Sequence, residues 1–299
     1  MIVRSIKEAT KKTLKKVPYL YPHLHRLRLV QIGKKLKVEH KKIMANSIHG
    51  KNTAPLFTAV EIETINRCNG SCSFCPVNRH LDKREFKKMT DQLFNKIIDE
   101  LYELEYDGTL SLFSNNEPFL DKRLEGFAEI ARHRLPHARM VLYTNGTLLS
   151  LERFRTVITF LDELIIDNYN NHLRLNEPVK AIHEYCKQNS ELNKKVKIFI
   201  RKDNEILSSR GGQAPNKANT QTIPLICLQP FRQFIVRPDG RISLCCNDPL
   251  GKYTLGDIST QTMQEVWHSQ RYLEIRDILS SDNGREKLEL CRNCDVWYV

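Results

Sequence analysis

Three cysteines in the run Cys68-Asn69-Gly70-Ser71-Cys72-Ser73-Phe74-Cys75 follow directly on a strand-like segment, Ala59-Val60-Glu61-Ile62-Glu63-Thr64-Ile65. A Gly- and Ser-containing loop with this C-x3-C-x2-C spacing can turn three thiolates toward one face of a cube-shaped iron–sulfur cluster, which is ordinarily held by four Cys. Because the local run stops at three, one iron is left open to another ligand. A structural zinc site is the alternative, but zinc favours four ligands in paired C-x2-C or C/H units, which this run does not form. The spacing therefore predicts a cluster-binding loop at a strand end, and the fold must turn that strand end toward a cavity.

The chain has nine cysteines in 299 residues. An odd number cannot form a complete disulfide framework, which points to metal ligation in a reducing compartment. Apolar residues make up 40% of the sequence, enough for one large domain or a domain plus a module. No apolar stretch approaches the roughly 20 residues that span a bilayer, and the start Met1-Ile2-Val3-Arg4 runs into a lysine-rich pattern instead of a signal-peptide core. A cytoplasmic protein is expected.

The net charge of +12 is concentrated at one end: residues 1–52 hold fourteen Lys and Arg against two Glu, leaving 33 basic and 33 acidic residues in the remainder. Ile2, Ile6, Ala9, Leu14 and Val17 recur at near-helical spacing among Lys7, Lys11, Lys12, Lys15 and Lys16, and Pro18 and Pro22 break the pattern. This leader is expected to be a basic helix. It would either cover part of the main domain or lie peripherally on the anionic inner face of the membrane, and nucleic acid is not the expected partner.

Beyond the leader, short β-branched runs at Ala59–Ile65, Thr109–Phe113, Arg139–Tyr143, Glu163–Ile166 and Val196–Ile200 alternate with helical patterns. Thr90 can cap a helix carrying Leu93, Phe94, Ile97, Ile98 and Leu101 on one face; further helices fit 121–134, 150–160 and 176–190. Alternating βα units imply an α/β fold with parallel strands and helices outside, as an open sheet or a barrel. The polar, Gly- and Pro-containing stretch Gly211–Pro224 then marks a boundary.

The C-terminal part holds Cys227, a hairpin signal at Arg237-Pro238-Asp239-Gly240-Arg241 between Phe234–Val236 and Ile242–Leu244, the pair Cys245-Cys246, and Cys291-Arg292-Asn293-Cys294. Between the last two lies a helix with the capping box Thr262-Met263-Gln264-Glu265, carrying Val266, Trp267, Leu273 and Ile278. So small a unit has little core, and a metal centre would stabilise it. Cys227, one of Cys245 or Cys246, Cys291 and Cys294 supply four ligands, a set that also suits tetrahedral zinc. Cys186, on a helix, is read as a small apolar core residue.

The cysteine run, with Phe74 just before its last cysteine, resembles the signature of the radical S-adenosylmethionine (SAM) superfamily. That resemblance implies a partial (β/α)6 TIM-like barrel whose cluster loop follows the first strand, in keeping with active sites at the C-terminal ends of barrel strands. It also implies that the open iron chelates SAM, and that an electron from the cluster splits SAM to a 5′-deoxyadenosyl radical that abstracts a substrate hydrogen. Asn115-Asn116-Glu117-Pro118 stands where the family often has Gly-Gly-Glu-Pro, a loop that contacts the SAM amino group; two Asn here replace two Gly. Asn145 in Thr144-Asn145-Gly146 ends the third strand, and Asp167 ends the fourth near the usual place of the SAM ribose.

The second cysteine set resembles the SPASM or twitch module, which holds auxiliary [4Fe–4S] clusters. Gly240 and Cys245 fit its Gly-x4-Cys spacing, which favours Cys245 over Cys246, and the short stretch after Cys294 implies one auxiliary cluster. The implied organisation is a basic helical extension over 1–55, a radical SAM barrel over 56–213 and the auxiliary module over 214–299. The Cys227-to-Cys294 spacing is similar to that of twitch-bearing dehydrogenases of aminocyclitol antibiotic biosynthesis. In those enzymes an Arg just ahead of the auxiliary segment sits at the substrate hydroxyl, and Arg210 in Ser208-Ser209-Arg210-Gly211-Gly212 holds that place here.

The resemblance thus implies oxidation of a sugar, aminosugar or cyclitol, with two [4Fe–4S] clusters, SAM, and a reductant such as flavodoxin or ferredoxin. Modification of a ribosomally made peptide is the alternative within the family. A non-enzymatic iron–sulfur or zinc-binding interaction protein is the alternative outside it.

Overall fold

The computed structural model describes residues 20–45, 56–219 and 221–297. Helix α1 (Leu20–Ala45) is followed by β1 (Ala59–Ile62), α2 (Asp91–Glu103), β2 (Thr109–Ser111), α3 (Leu124–Arg134), β3 (Arg139–Thr144), α4 (Leu151–Val157), β4 (Glu163–Tyr169), α5 (Glu177–Lys187), α6 (Ser190–Lys195) and β5 (Val196–Arg201). After an irregular stretch come β6 (Gln233–Val236), β7 (Arg241–Ser243), β8 (Thr254–Asp257), α7 (Met263–Trp267), α8 (Gln270–Ser280) and α9 (Glu289–Arg292).

The strands form one sheet in the order β5-β4-β3-β2-β1-β6-β7-β8. Every neighbouring pair from β5 to β6 is parallel; helices connect β1 through β5 and the irregular stretch leads to β6, giving the partial (β/α)6 barrel. The last two strands add in antiparallel fashion. The hairpin expected near residues 234–244 is therefore not an isolated unit: its first strand lies along β1, with Val60 opposite Phe234. A lone two-stranded hairpin is marginal in water. Phe234, Ile235 and Val236 are all buried, as a strand inside a parallel sheet requires.

Local chemistry explains most element ends. The Thr90 side chain accepts from the Leu93 N–H and starts α2, whose Phe94, Ile97, Ile98 and Leu101 are buried. Such a cap is worth about 1 kcal/mol, and each buried side chain about 1.5–3 kcal/mol relative to exposure. The 176–190 helix is instead two: α5 ends at Lys187 and the Asn189 side chain, accepting from Glu191 and Leu192 N–H groups, starts α6. The capping box at Thr262 and Glu265 is present.

The helix after it breaks, because the Ser269 side chain accepts from the Tyr272 N–H and opens α8 in a new register. Tyr272, Ile275 and Leu279 are buried there instead of Leu273 and Ile278. Trp267 closes the core, 5.3 Å from the Phe57 ring and 5.0 Å from that of Tyr272.

The apolar repeat from Ile2 to Val17 lies outside the described residues. Pro22 sits in the first turn of α1, where the missing N–H has no intrahelical partner to lose, and Pro18 lies outside the described residues. Leu36 of α1 is fully buried against Leu225, Ile226 and Leu228, with Leu29, Ile32, Ile43 and Trp297 around it. Glu39 pairs with Arg232 at 2.7 Å. One face of the extension thus packs on the segment around Cys227. Among the described residues no helix is long and apolar enough to cross a membrane.

Candidate active site

The cysteine loop leaves the C-terminal end of β1 and is latched by Asn78. Its side-chain N–H groups donate to the Cys72 and Cys75 carbonyls at 3.1 and 2.9 Å, and its oxygen accepts from the His80 and Leu81 N–H groups. Gly70 lies between two sulfurs: a Cβ there would stand 3.3 Å from Cys68 Sγ and 3.8 Å from Cys72 Sγ. The Gly70 N–H and Asn145 Nδ2 both donate toward Cys68 Sγ, at 3.3 and 3.9 Å. Burial pushes the Cys68 and Cys72 thiols up to about 12. Metal-free, they are held as thiols.

The three cysteines border a cavity at the strand ends, which Phe74, Asn115, Asn116, Glu117, Asn145, Asp167 and Arg210 also line. All the barrel-site residues expected from the sequence are thus brought to one place. Phe74 packs against Tyr169 with ring centroids 5.5 Å apart. Both Glu117 oxygens are engaged: one accepts from Thr144 Oγ1 at 2.8 Å and the Phe119 N–H at 3.2 Å, the other from the Asn145 N–H at 2.8 Å. Glu117 therefore ties the β2 loop to the turn after β3, and its burial raises the carboxyl to about 7. Asn116 is 6% exposed, and its Nδ2 has no hydrogen-bond partner among the described residues. Asp167 receives Arg201 Nε at 3.3 Å, and burial raises its carboxyl.

Arg210 enters from the segment after β5. Its φ of +49° and those of Gly211 (+60°) and Gly212 (+80°) put three consecutive residues in the left-handed region, which for Arg is a strained conformation. The strain is held from the C-terminal segment: the Ser209 N–H donates to Asp295 Oδ1 at 2.8 Å, its hydroxyl donates to the Asn293 carbonyl at 2.7 Å, and Lys217 pairs with Asp295. Arg210 Nη1 then reaches Asn115 Oδ1 at 2.9 Å.

Behind this turn, Cys245, Cys291 and Cys294 are buried and Cys227 is partly so. Burial pushes the Cys245, Cys291 and Cys294 thiols up, and Cys227 is among the thiols that raise Cys245 and Cys291 further. The Cys246 carbonyl accepts from Asn115 Nδ2 at 3.1 Å and its sulfur receives Asn247 Nδ2 at 3.7 Å, while its thiol adds to the upward push on Cys245.

Two family models match the chain. One is the radical SAM superfamily over residues 62–174, and the other, SPASM, is an iron–sulfur cluster-binding domain over 227–295. The first runs from the end of β1 through the cysteine loop to just past β4. The chain belongs to the radical SAM superfamily.

It is 27% identical over 242 residues to S-adenosyl-L-methionine-dependent 2-deoxy-scyllo-inosamine dehydrogenase of Niallia circulans, covering 80% of this chain and 93% of that one. Its structure is similar to the crystal structure of BtrN in complex with AdoMet and 2-DOIA, with a TM-score of 0.70, 27% identity and coverage of 81% and 94%. It is also similar in fold to BtrN in an open conformation, with a TM-score of 0.61 and 23% identity over 81% and 94%.

As a radical SAM protein with a SPASM-type module, it takes SAM and two [4Fe–4S] clusters. The donors fit. The first loop brings three thiols to one cavity wall, with Gly70 close against two of them, and Asn116 Nδ2, without a hydrogen-bond partner among the described residues, lines the same cavity. Buried thiols that resist ionisation alone become good ligands when a metal supplies positive charge.

Sequence reasoning passed over Glu61 and Glu63. Glu61 on β1 and Glu63 just after it alternate with the core-facing Val60 and Ile62, and burial raises each carboxyl to about 7. Glu63 accepts from the Asn115 N–H, and Glu61 is bonded to Ser114 and feels the charge of Arg210. Two carboxylates at a spacing of two within an apolar strand are costly to bury; that was the available signal. Tyr143, stacked on Phe113 at 5.4 Å, also lines the cavity and carries no motif.

Proposed function

We propose that this radical SAM enzyme oxidises an alcohol carbon of a small polar metabolite, a sugar, aminosugar or cyclitol, to a ketone. When bound, the first cluster and SAM supply a 5′-deoxyadenosyl radical that takes the hydrogen atom from that carbon. The auxiliary cluster, held by Cys227, Cys245, Cys291 and Cys294, would supply the acceptor for the remaining electron as the hydroxyl proton passes to solvent and the carbon–oxygen double bond forms. The observation that carries this reading is the Arg210 turn, which lines the SAM cavity and is fastened at Asn293 and Asp295, on either side of Cys294. Substrate oxidation and the auxiliary site thus share one element. The similarity to an aminocyclitol dehydrogenase over 93% of its length supports the substrate class.

In this reading Cys68, Cys72 and Cys75 hold the SAM cluster, and Phe74, Asn116, Glu117, Asn145 and Asp167 shape the SAM site. Asn115 orients Arg210. An Arg is a poor base, so its guanidinium stabilises the developing alkoxide-like oxygen by hydrogen bonding. Cys227, Cys245, Cys291 and Cys294 saturate the auxiliary cluster, leaving it to transfer electrons. Residues 56–213, with β6 added alongside β1, act as the catalytic barrel, and the remainder of 214–299 as the electron-accepting module.

A flavodoxin or ferredoxin in the cytoplasm supplies the reducing electron. The outward face of α1 exposes Leu24, Leu27, Val30 and Val38 among Arg26, Arg28, Lys34, Lys35, Lys41 and Lys42. That combination suits peripheral contact with an anionic bilayer.

The test is electron accounting with candidate aminocyclitols and sugars. Anaerobically reconstituted protein should hold about eight iron per chain. Replacing Cys68, Cys72 and Cys75 with Ala should halve that and abolish SAM cleavage. The variant with Cys291→Ala and Cys294→Ala should still form 5′-deoxyadenosine with reductant yet release no ketone; a normal ketone yield would overturn the electron-acceptor role. Vesicles containing anionic lipid should bind the intact chain at low salt and release it as salt rises; absence of binding removes the membrane contact.

A further inference from the structure

Arg285 is 3% exposed. Its Nε donates to the Leu225 carbonyl at 2.8 Å and its Nη1 to the Val296 carbonyl at 2.9 Å. Those carbonyls lie two residues before Cys227 and two residues after Cys294, so one guanidinium spans the two segments that bring these cysteines into the module. Among the described residues no carboxylate forms an ion pair with Arg285, and no aromatic ring faces it.

Arg276, the other deeply buried arginine of this module, is different. Its guanidinium lies 4.1 Å from the Trp267 ring centre and 4.6 Å from that of Tyr272, so ring faces meet its charge. A buried guanidinium cannot shed its proton, and an uncompensated buried charge is strongly destabilising. Among the described residues Arg285 therefore has no paired anion. Four cysteine thiolates around a cubane carry a net negative charge. Arg285 already favours the ionised forms of Cys291 and Cys294.

We propose that Arg285 is the buried counter-charge of the auxiliary cluster, a positioning residue that joins the Cys227 and Cys294 segments and raises the cluster's reduction potential so that it accepts the substrate electron. This rests on the auxiliary-cluster reading given above. A fixed positive charge stabilises the reduced cluster, which carries one more negative charge, over the oxidised one. The carbonyl bonds to Leu225 and Val296 keep that charge in place without neutralising it.

The test uses the full chain with Cys68, Cys72 and Cys75 replaced by Ala, so that only the auxiliary cluster contributes to the spectrum. Iron content and midpoint potential are measured for this parent and for Arg285→Gln and Arg285→Lys in the same background. Arg285→Gln should shift the midpoint to a more negative potential, and Arg285→Lys should restore most of that shift. If Arg285→Gln loses the cluster while Arg285→Lys retains it, the requirement for charge is likewise supported. An unmoved midpoint in Arg285→Gln, or equal loss of iron from both variants, overturns the proposal and leaves Arg285 as a backbone staple. A parent that binds no iron would instead overturn the auxiliary-cluster reading itself.

Discussion

Arg210 Nη1 and Asn115 Oδ1 meet at 2.9 Å across 95 residues of sequence, joining the loop after β2 to a left-handed turn that the C-terminal segment holds in place. Asn115 is itself fixed, its N–H donating to Glu63 at 2.6 Å and its Nδ2 to the Cys246 carbonyl. The guanidinium therefore has a defined direction in the cavity, as a group that must meet one substrate hydroxyl needs.

Arg210→Lys should slow ketone formation while leaving SAM cleavage without substrate intact. An ammonium cannot bridge Asn115 and a substrate oxygen with the same planar geometry. Loss of one charge-assisted hydrogen bond, about 1.5–3 kcal/mol, corresponds to roughly a 10- to 150-fold fall in turnover. Product yield and 5′-deoxyadenosine, measured side by side, check this; an unchanged product rate would remove Arg210 from the site.

Gly211→Ala should loosen the same turn. The added Cβ would lie 2.7 Å from Leu290 and 3.0 Å from the Asn247 carbonyl, at a φ of +60°. Overpacking of this kind costs about 1–3 kcal/mol, and positive φ adds to it. A lowered melting temperature and faster loss of auxiliary iron are the expected results. An unchanged melting temperature would show that the turn yields freely.

Glu63→Gln isolates one buried carboxyl. Its folded value, about 7, lies above the ordinary 4.5, so the folded state holds the proton through that interval and stability falls as pH rises through it. Gln keeps an oxygen for the Asn115 N–H and carries no charge. Wild type and variant should therefore match near pH 4.5 and diverge upward. Above pH 7 the variant should be more stable by up to about 3 kcal/mol. Urea midpoints across this range check it, and parallel profiles would show that Glu63 does not titrate there.

Leu36→Ala tests whether α1 belongs to the fold. Leu36 is fully buried on Leu225, Ile226 and Leu228, and truncating such a side chain costs about 2–5 kcal/mol. Trp297, packed in the same cluster, should change its fluorescence as the extension detaches. Retention of full stability would make α1 a mere appendage.

Features encoded over a few neighbouring residues were legible in the chain: the cysteine runs, the Thr90 cap, the Thr262 capping box and the five βα strands. Chelation spacing, capping and hydrophobic period are short-range properties, so each can be read without knowing what lies beside it. The family resemblance then brought Glu117, Asn145, Asp167 and Arg210 to one end of a barrel.

What the tertiary structure alone decided involves partners far apart in sequence. It set β6 alongside β1, made Asn115 the seat of Arg210, and turned Glu117 inward onto Thr144 and Asn145. It also buried Glu63, set Glu61 beside Ser114, and left Arg285 without an acid among the described residues. A carboxylate or guanidinium reads as a surface group in sequence. Its energetic meaning comes from desolvation and from which charges surround it, and only the packed chain determines both.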